Sequence, residues 1–250
     1  MDEYYIEKVE DYIKVVNENF PLYALSRGQT SDKPLLPSAL RLDESKMRIY
    51  SDSKIKMFME DFKNNSLQYI DGYGVGLKND YEWMVYAQHF GVPTRLLDFT
   101  YSHMVSLMFA AEKAFNPNYS NSAVVWFLNY EKLNEYSLND KEIVNLSNGD
   151  KLIKNMKYPC VVTARKINPR VIAQNGLFVL FDQNSVPLEK IVIAEEVLKK
   201  VVIPHDVIKR VLSELYAMGM RFNNMYPELT SVSKDILLKN NVLEFYTMEE

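Results

Sequence analysis

Residues 160–204 read CVVTARKINPRVIAQNGLFVLFDQNSVPLEKIVIAEEVLKKVVIP, and this stretch decides the fold class. It holds four apolar runs: CVVTA from Cys160, LFVLF from Leu177, IVIA from Ile191 and VVIP from Val201. Each is short, rich in β-branched and aromatic residues, and bounded by loop-forming residues, which is the pattern of a buried strand. Little helical periodicity separates them, so crossover helices between parallel neighbours are not expected. Upstream, AVVWFL at residues 123–128 has the same buried-strand character. The expectation is an α+β fold, a single domain with a mixed, largely antiparallel sheet.

Helices are expected on either side of this strand-rich region. The first twenty residues, MDEYYIEKVEDYIKVVNENF, alternate charged and apolar side chains at helical spacing and read as an amphipathic helix. Leu22, Ala24 and Leu25 read as a short strand that runs through Arg27-Gly28 into the Pro-punctuated KPLLPSALRL. Lys54–Phe62 and Tyr81–Phe90 carry helical spacing, and between them Gly72, Gly74 and Gly76 predict a mobile loop. Ser102–Phe115 is apolar on most sides, which predicts a buried central helix. A polar excursion is expected over Asn129–Lys157, and helices over His205–Met220 and near Ser231–Lys239. No internal repeat or long Pro/Gly/Ser linker divides the chain, so one domain over residues 1–250 is the reading.

Composition narrows the function. Twenty-nine Lys and Arg against 33 Asp and Glu give a formal net charge of −4, and no long basic run occurs. Broad capture of nucleic acid, which depends on neutralising many phosphates, is therefore disfavoured. His89, His103, His205 and the lone Cys160 fall at no zinc-ligand spacing, so no metal site is assigned, although carboxylates can still hold Mg²⁺. No run approaches the ~20 apolar residues of a membrane span, and a single cysteine does not suit an oxidising compartment, so a cytoplasmic chain is expected.

Polar residues concentrate in two segments. In SRGQTSDKPLLPSALR, Arg27 stands directly before Gly28 and Gln29, with Arg41 downstream. Arginine at a strand end presents a planar, permanently charged fork to phosphate, while glycine lets the backbone come close; the alternative is an internal ion pair. In YAQHFGVPTRLLDFTYS, Gln88, His89, Arg95, Asp98 and Thr100 fall within thirteen residues around a Gly91-Val92-Pro93 turn. Local roles compete here too: Arg95 can pair with Asp98, and Asp98 or Thr100 can cap the following helix. Gln174 precedes Asn-Gly and can bond a ligand amide or its own turn, and Glu228 follows Pro227 near a helix start. Gly72-x-Gly74-x-Gly76 does not fit a dinucleotide fingerprint, and no P-loop or nucleophile elbow occurs.

The segments SRGQ…LLPSALR, YAQHFGVPTRLLDFT with its apolar helix, NPRVIAQNGLFVLF and GMRFNNMYPEL, in this order, resemble the FRG domain family over about residues 20–236. The family is named for an aromatic-Arg-Gly motif; Ser26 stands where the aromatic is expected, and Glu228 where the family usually has Asp. The resemblance implies an intracellular effector or toxin, since the family occurs in bacterial and phage proteins near defence modules. The leading activity is an NAD-using, ADP-ribosyltransferase-like transfer or NAD hydrolysis. That chemistry needs an anion anchor and a carboxylate near an oxocarbenium-like ribose. Arg27, Gly28, Gln29, Arg41, Arg95 and Gln174 are assigned to the nucleotide, and Glu228, His89 and Asp98 to catalysis. A phosphodiester-cleaving enzyme with His89 as base, and a non-catalytic nucleotide- or protein-binding sensor, are the rival readings.

Overall fold

The computed structural model describes residues 1–70, 76–148, 153, 156, 158–165 and 175–249. Its strands are β1 (Glu3–Tyr5), β2 (Leu25–Gln29), β3 (Leu96–Thr100), β4 (Ala123–Leu128), β5 (Val144–Asn145), β6 (Cys160–Thr163), β7 (Gly176–Leu180) and β8 (Leu198–Ile203). They form one eight-stranded sheet in the order β1-β8-β4-β2-β3-β7-β6-β5. Pairing is parallel at β1–β8 and β5–β6 and antiparallel at the junctions between. The fold is α+β with a mixed, largely antiparallel sheet, as the late apolar runs predict.

The helices described are α1 (Val9–Asn19), α2 (Asp52–Ile70), α3 (Asp80–His89), α4 (His103–Ala111), α5 (Tyr130–Leu138), α6 (Ala194–Val197), α7 (Ile208–Ala217), α8 (Phe222–Met225) and α9 (Leu229–Glu249). Helix α4 is the buried central helix. Ser102 caps it by accepting from the Val105 N–H at 3.4 Å, and Leu107, Met108, Ala110 and Ala111 are fully buried. With α1 and α7 it covers one face of the sheet, where Tyr12, Val125, Phe127, Val201 and Leu215 share a core. Leu25, Trp126, Leu128, Val179 and Phe181 pack on the other face. Strand β4 is thus buried on both faces, which is why AVVWFL is a continuous apolar run rather than an alternating one.

Three expectations are corrected. The N-terminal helix does not fill residues 1–20: Glu3–Tyr5 is an edge strand beside β8, and α1 begins only at Val9. Its Lys8 N-cap supplies no side-chain bond, and Glu214 of α7 accepts from the Val9 N–H at 2.7 Å instead. IVIA is not a strand. Ile191 and Ile193 are buried while Val192 is exposed, and the chain turns through local bonds into α6, whose first turn holds Glu195 and Glu196. Four apolar residues are too few for periodicity to separate strand from helical turn. Finally, LLDFT is strand β3, so Asp98 and Thr100 belong to the sheet and Ser102 is the cap. Thr100 Oγ1 accepts from the Ser102 N–H at 2.9 Å, one turn before the helix.

Candidate functional site

Gly28 brings a helix against a strand. A Cβ at Gly28 would lie 1.9 Å from the Ser106 carbonyl oxygen and 2.8 Å from the Ala110 nitrogen, so only glycine lets α4 rest on β2 at this distance. The residue two before it faces the same helix: Ser26 is fully buried and its Oγ donates to Ser106 Oγ at 2.9 Å. Because side chains alternate along a strand, Arg27 and Gln29 point the other way. They lie where β2 and β3 part. The two strands meet through Ser26 and Thr100, and beyond that pair Arg27, Gly28 and Gln29 are matched to β4.

A cavity of about 380 Å³ opens at this parting. Arg27, Gly28, Gln29 and Arg41 line it, with His89 from the last turn of α3 and Asp98 from β3. The two polar segments of the sequence therefore meet at one place. Arg27 Nη1 donates to the Asp98 carbonyl at 2.7 Å and stands 3.7 Å from its carboxylate, while the arginine side chain is 19% exposed and Asp98 61%. Burial, opposed by Asp98 and assisted by Arg41, lowers the pKa of Arg27 from its ordinary value without discharging it at neutral pH. Two buried atoms on this strand face have no partner among the described residues: Arg27 Nε and Gln29 Oε1.

Asp98 is held from the other side by a short chain of amide and hydroxyl. Thr94 Oγ1 donates to Gln88 Oε1, and Gln88 Nε2 donates to Asp98 Oδ1 at 2.8 Å. Asn79 positions α3 by accepting from the N–H groups of Tyr81 and Glu82, which sets His89 at the cavity end of that helix. Further lining residues were not singled out in the sequence: Lys33, Glu112, Phe109 and Tyr226. Ser106, Phe109 and Glu112 recur every three residues along α4 and its C-cap, the one face of an apolar helix that reaches the cavity. That spacing was the available signal for Glu112.

Two assigned residues lie elsewhere. Arg95 lines a different cavity of about 770 Å³ beside α2, with Lys63, Tyr81 and Gln183, and its Nη1 donates to the Phe181 carbonyl at 3.4 Å. Glu228 is exposed ahead of α9, where its backbone carbonyl accepts from the Ser231 N–H at 2.9 Å, and it is outside the lining of the Arg27 cavity. Gln174, like Gly72 and Gly74 of the anticipated loop, lies outside the described residues, whereas the Gly76 carbonyl accepts from Arg165 Nη2 at 2.6 Å. No group of histidine, cysteine or acidic side chains that could hold a metal occurs among the described residues.

The model of the FRG domain family matches residues 23–119. This part of the chain is an FRG domain. The matched segment runs from just before β2 to just beyond α4, so it contains both polar segments, the Ser106 contact of Gly28 and nearly all of the cavity wall. Within the FRG domain the motif glycine has a packing role and the motif arginine a cavity role. Tyr226, on the wall of the same cavity, comes from outside the matched residues. No curated protein and no solved structure matches the chain significantly. No helix among the described residues is long and apolar enough to cross a membrane.

Proposed function

We propose that the FRG-domain cavity binds NAD and that the protein cleaves its nicotinamide–ribose bond, passing ADP-ribose to water or to an acceptor inside the cell. The observation that supports this most is the pair of unpartnered atoms on one strand face, the Gln29 Oε1 acceptor and the Nε donor of Arg27, whose side chain is mostly removed from solvent. Buried polar groups without partners are rare, and a ligand that offers an acceptor and a donor at this spacing answers both. Arg41 and Lys33 add positive charge to the same wall, which suits a pyrophosphate, and Phe109 and Tyr226 offer ring faces for a base.

In this reading Asp98 is the carboxylate near the ribose. Gln88, itself held by Thr94, fixes its orientation, and its exposure leaves room for a ligand. The bond to nicotinamide breaks with its electron pair leaving on the ring nitrogen, and the ribose carbon becomes oxocarbenium-like before water or an acceptor adds and gives up a proton. His89, at the cavity wall, receives that proton. Of the two carboxylates assigned to stabilise the ribose, Asp98 lines the cavity and Glu228 does not, so the role falls to Asp98.

The test is nicotinamide release from NAD by the purified protein. Wild type should release it, Asp98→Asn should bind NAD but release at least a hundredfold less, roughly the scale of losing one transition-state electrostatic contact, and Glu228→Gln should match wild type. Binding without release in wild type would point to a sensor, and neither binding nor release would reject the proposal.

A further inference from the structure

None of the described side chains of α2 is buried. The helix leans on α3 through Phe62, whose ring centroid lies 6.2 to 6.4 Å from those of Trp83, Tyr86 and Phe90. Another row of α2 faces the cavity of about 770 Å³, which shares no lining residue with the Arg27 cavity. Asp52, Ile55, Lys56, Met59, Glu60 and Lys63 form that row at helical spacing. Four of these six are charged, whereas the row a helix turns toward its own domain is ordinarily apolar. Two of the charges are answered locally: Lys63 stands 2.6 Å from Asp80, and Asp52 2.8 Å from Arg48. Arg95, which lines the same cavity, is not. Its side chain is partly buried, and its one hydrogen bond among the described residues is the long contact of Nη1 with the Phe181 carbonyl at 3.4 Å. Neither Arg95 nor Lys56 has an ion-pair partner among the described residues.

We propose that this cavity is a second ligand site, which takes a small organic monocarboxylate with its carboxylate on the Arg95 fork and its apolar body against Ile55, Met59 and Met84. The charge argues for a monoanion. Once the Lys63–Asp80 and Arg48–Asp52 pairs are set aside, Arg95 and Lys56 face Glu60 alone, which leaves one positive charge in excess. The free donors argue for a planar, two-oxygen acceptor, because a guanidinium with most of its N–H groups unspent matches a carboxylate bidentately. The lining argues for an organic body: Ile55, Met59, Met84 and the Tyr81 ring make an apolar wall, and methionines adapt to irregular shapes. The volume is in the range of pockets that hold small molecules. Arg95 is also firmly based. Its carbonyl accepts from the Phe181 N–H at 3.0 Å, so the guanidinium extends from the edge of the sheet and not from a loose loop.

Titration of the whole chain with phenylbutyrate, its neutral amide phenylbutyramide and inorganic phosphate, followed by the NMR signals of isotope-labelled methionine methyl groups, tests it. Phenylbutyrate should move the Met59 and Met84 signals, assigned through Met59→Leu and Met84→Leu, and leave those of the fully buried Met108 and Met225 in place. Phenylbutyramide lacks the charge and phosphate lacks the apolar body, so each should bind at least roughly tenfold more weakly. Arg95→Gln should weaken phenylbutyrate by a similar factor, with Arg95→Lys in between because it keeps the charge and loses the fork. If Arg95→Gln fails to fold, Lys56→Gln, at an exposed helix position, should still weaken phenylbutyrate several-fold. Met59 and Met84 signals that stay fixed up to the solubility limit of phenylbutyrate would overturn the proposal. So would an amide or a phosphate that binds as tightly as the acid, or an unchanged affinity in folded Arg95→Gln.

Discussion

Arg27 crosses the gap between β2 and β3 and donates through Nη1 to the Asp98 carbonyl at 2.7 Å. It stands in for a ladder hydrogen bond at the point where the two strands have separated. This makes the motif arginine both a cavity group and a strut, and it sets the cost of removing it. Asp98 keeps its bond from Gln88 and is well exposed, so Arg27→Ala strands no buried carboxylate. The loss should be that of one charge-assisted hydrogen bond, about 1.5–3 kcal/mol, read from the urea midpoint. A loss beyond about 4 kcal/mol would move Arg27 wholly to the scaffold.

Gly28→Ala should cost more than Arg27→Ala although it adds a single methyl group. The added carbon would meet backbone atoms of Ser106 and Ala110, neither of which can rotate away as a side chain tip can. Helix α4 must move off β2, and the expected destabilisation is about 3 kcal/mol or more. Equilibrium unfolding of the variant measures it, and a change under 1 kcal/mol would contradict the close packing.

How much of this was legible follows from what each residue advertises. The strand-rich half was readable because β4, β6, β7 and β8 carry unbroken apolar runs. Strand β3 hid inside LLDFT because Asp98 interrupts it, and an acidic residue in mid-strand makes sense only once Arg27 and Gln88 are placed beside it. Helix α5 hid in a polar excursion because its stability comes from tertiary contacts: Asn134 is buried and bonds the Val161 N–H at 2.6 Å and the Glu142 carbonyl at 2.8 Å. For the site, the meeting of the two polar segments was legible from residue type. The separation of Arg95 and Glu228 from that meeting was not, since it depends on which way a strand and a helix face. Ser26 shows the same limit: its partner Ser106 is eighty residues away and nothing local announces it.

His103 predicts a pH effect. Its ring sits 4.7 Å from that of Phe127, neither ring nitrogen has a partner among the described residues, and burial lowers its pKa to about 4. The unfolded chain takes up a proton near pH 6.5 and the folded protein resists it until about pH 4. Stability should therefore fall as pH drops through this window, by on the order of 2–3 kcal/mol in total. His103→Leu should flatten that part of the profile in melting curves taken between pH 7 and pH 4, and an unchanged slope would contradict the assignment.

Glu82 predicts a second, lower window. Arg165 donates to its two carboxylate oxygens at 2.6 and 2.7 Å, the Lys78 N–H adds a third bond at 2.6 Å, and these contacts hold the Glu82 pKa near 2. A depressed carboxylate stabilises the fold above its unfolded pKa near 4.5 and loses that contribution as pH falls toward about 2. Glu82→Gln should cost about 2 kcal/mol at neutral pH, and the gap from wild type should close as the solution is acidified through this range. A gap that does not change with pH would mean the charge is not what matters at this position.

In the proposed function, Arg27 anchors the pyrophosphate of a nucleotide in the cavity between β2 and β3. Isothermal titration of NAD into wild type, Arg27→Lys and Arg27→Ala at one fixed ionic strength tests it most directly. Wild type should bind measurably, Arg27→Lys more weakly because the charge survives but the planar fork does not, and a folded Arg27→Ala should show no detectable binding. Equal affinity for NAD in all three folded proteins would contradict it.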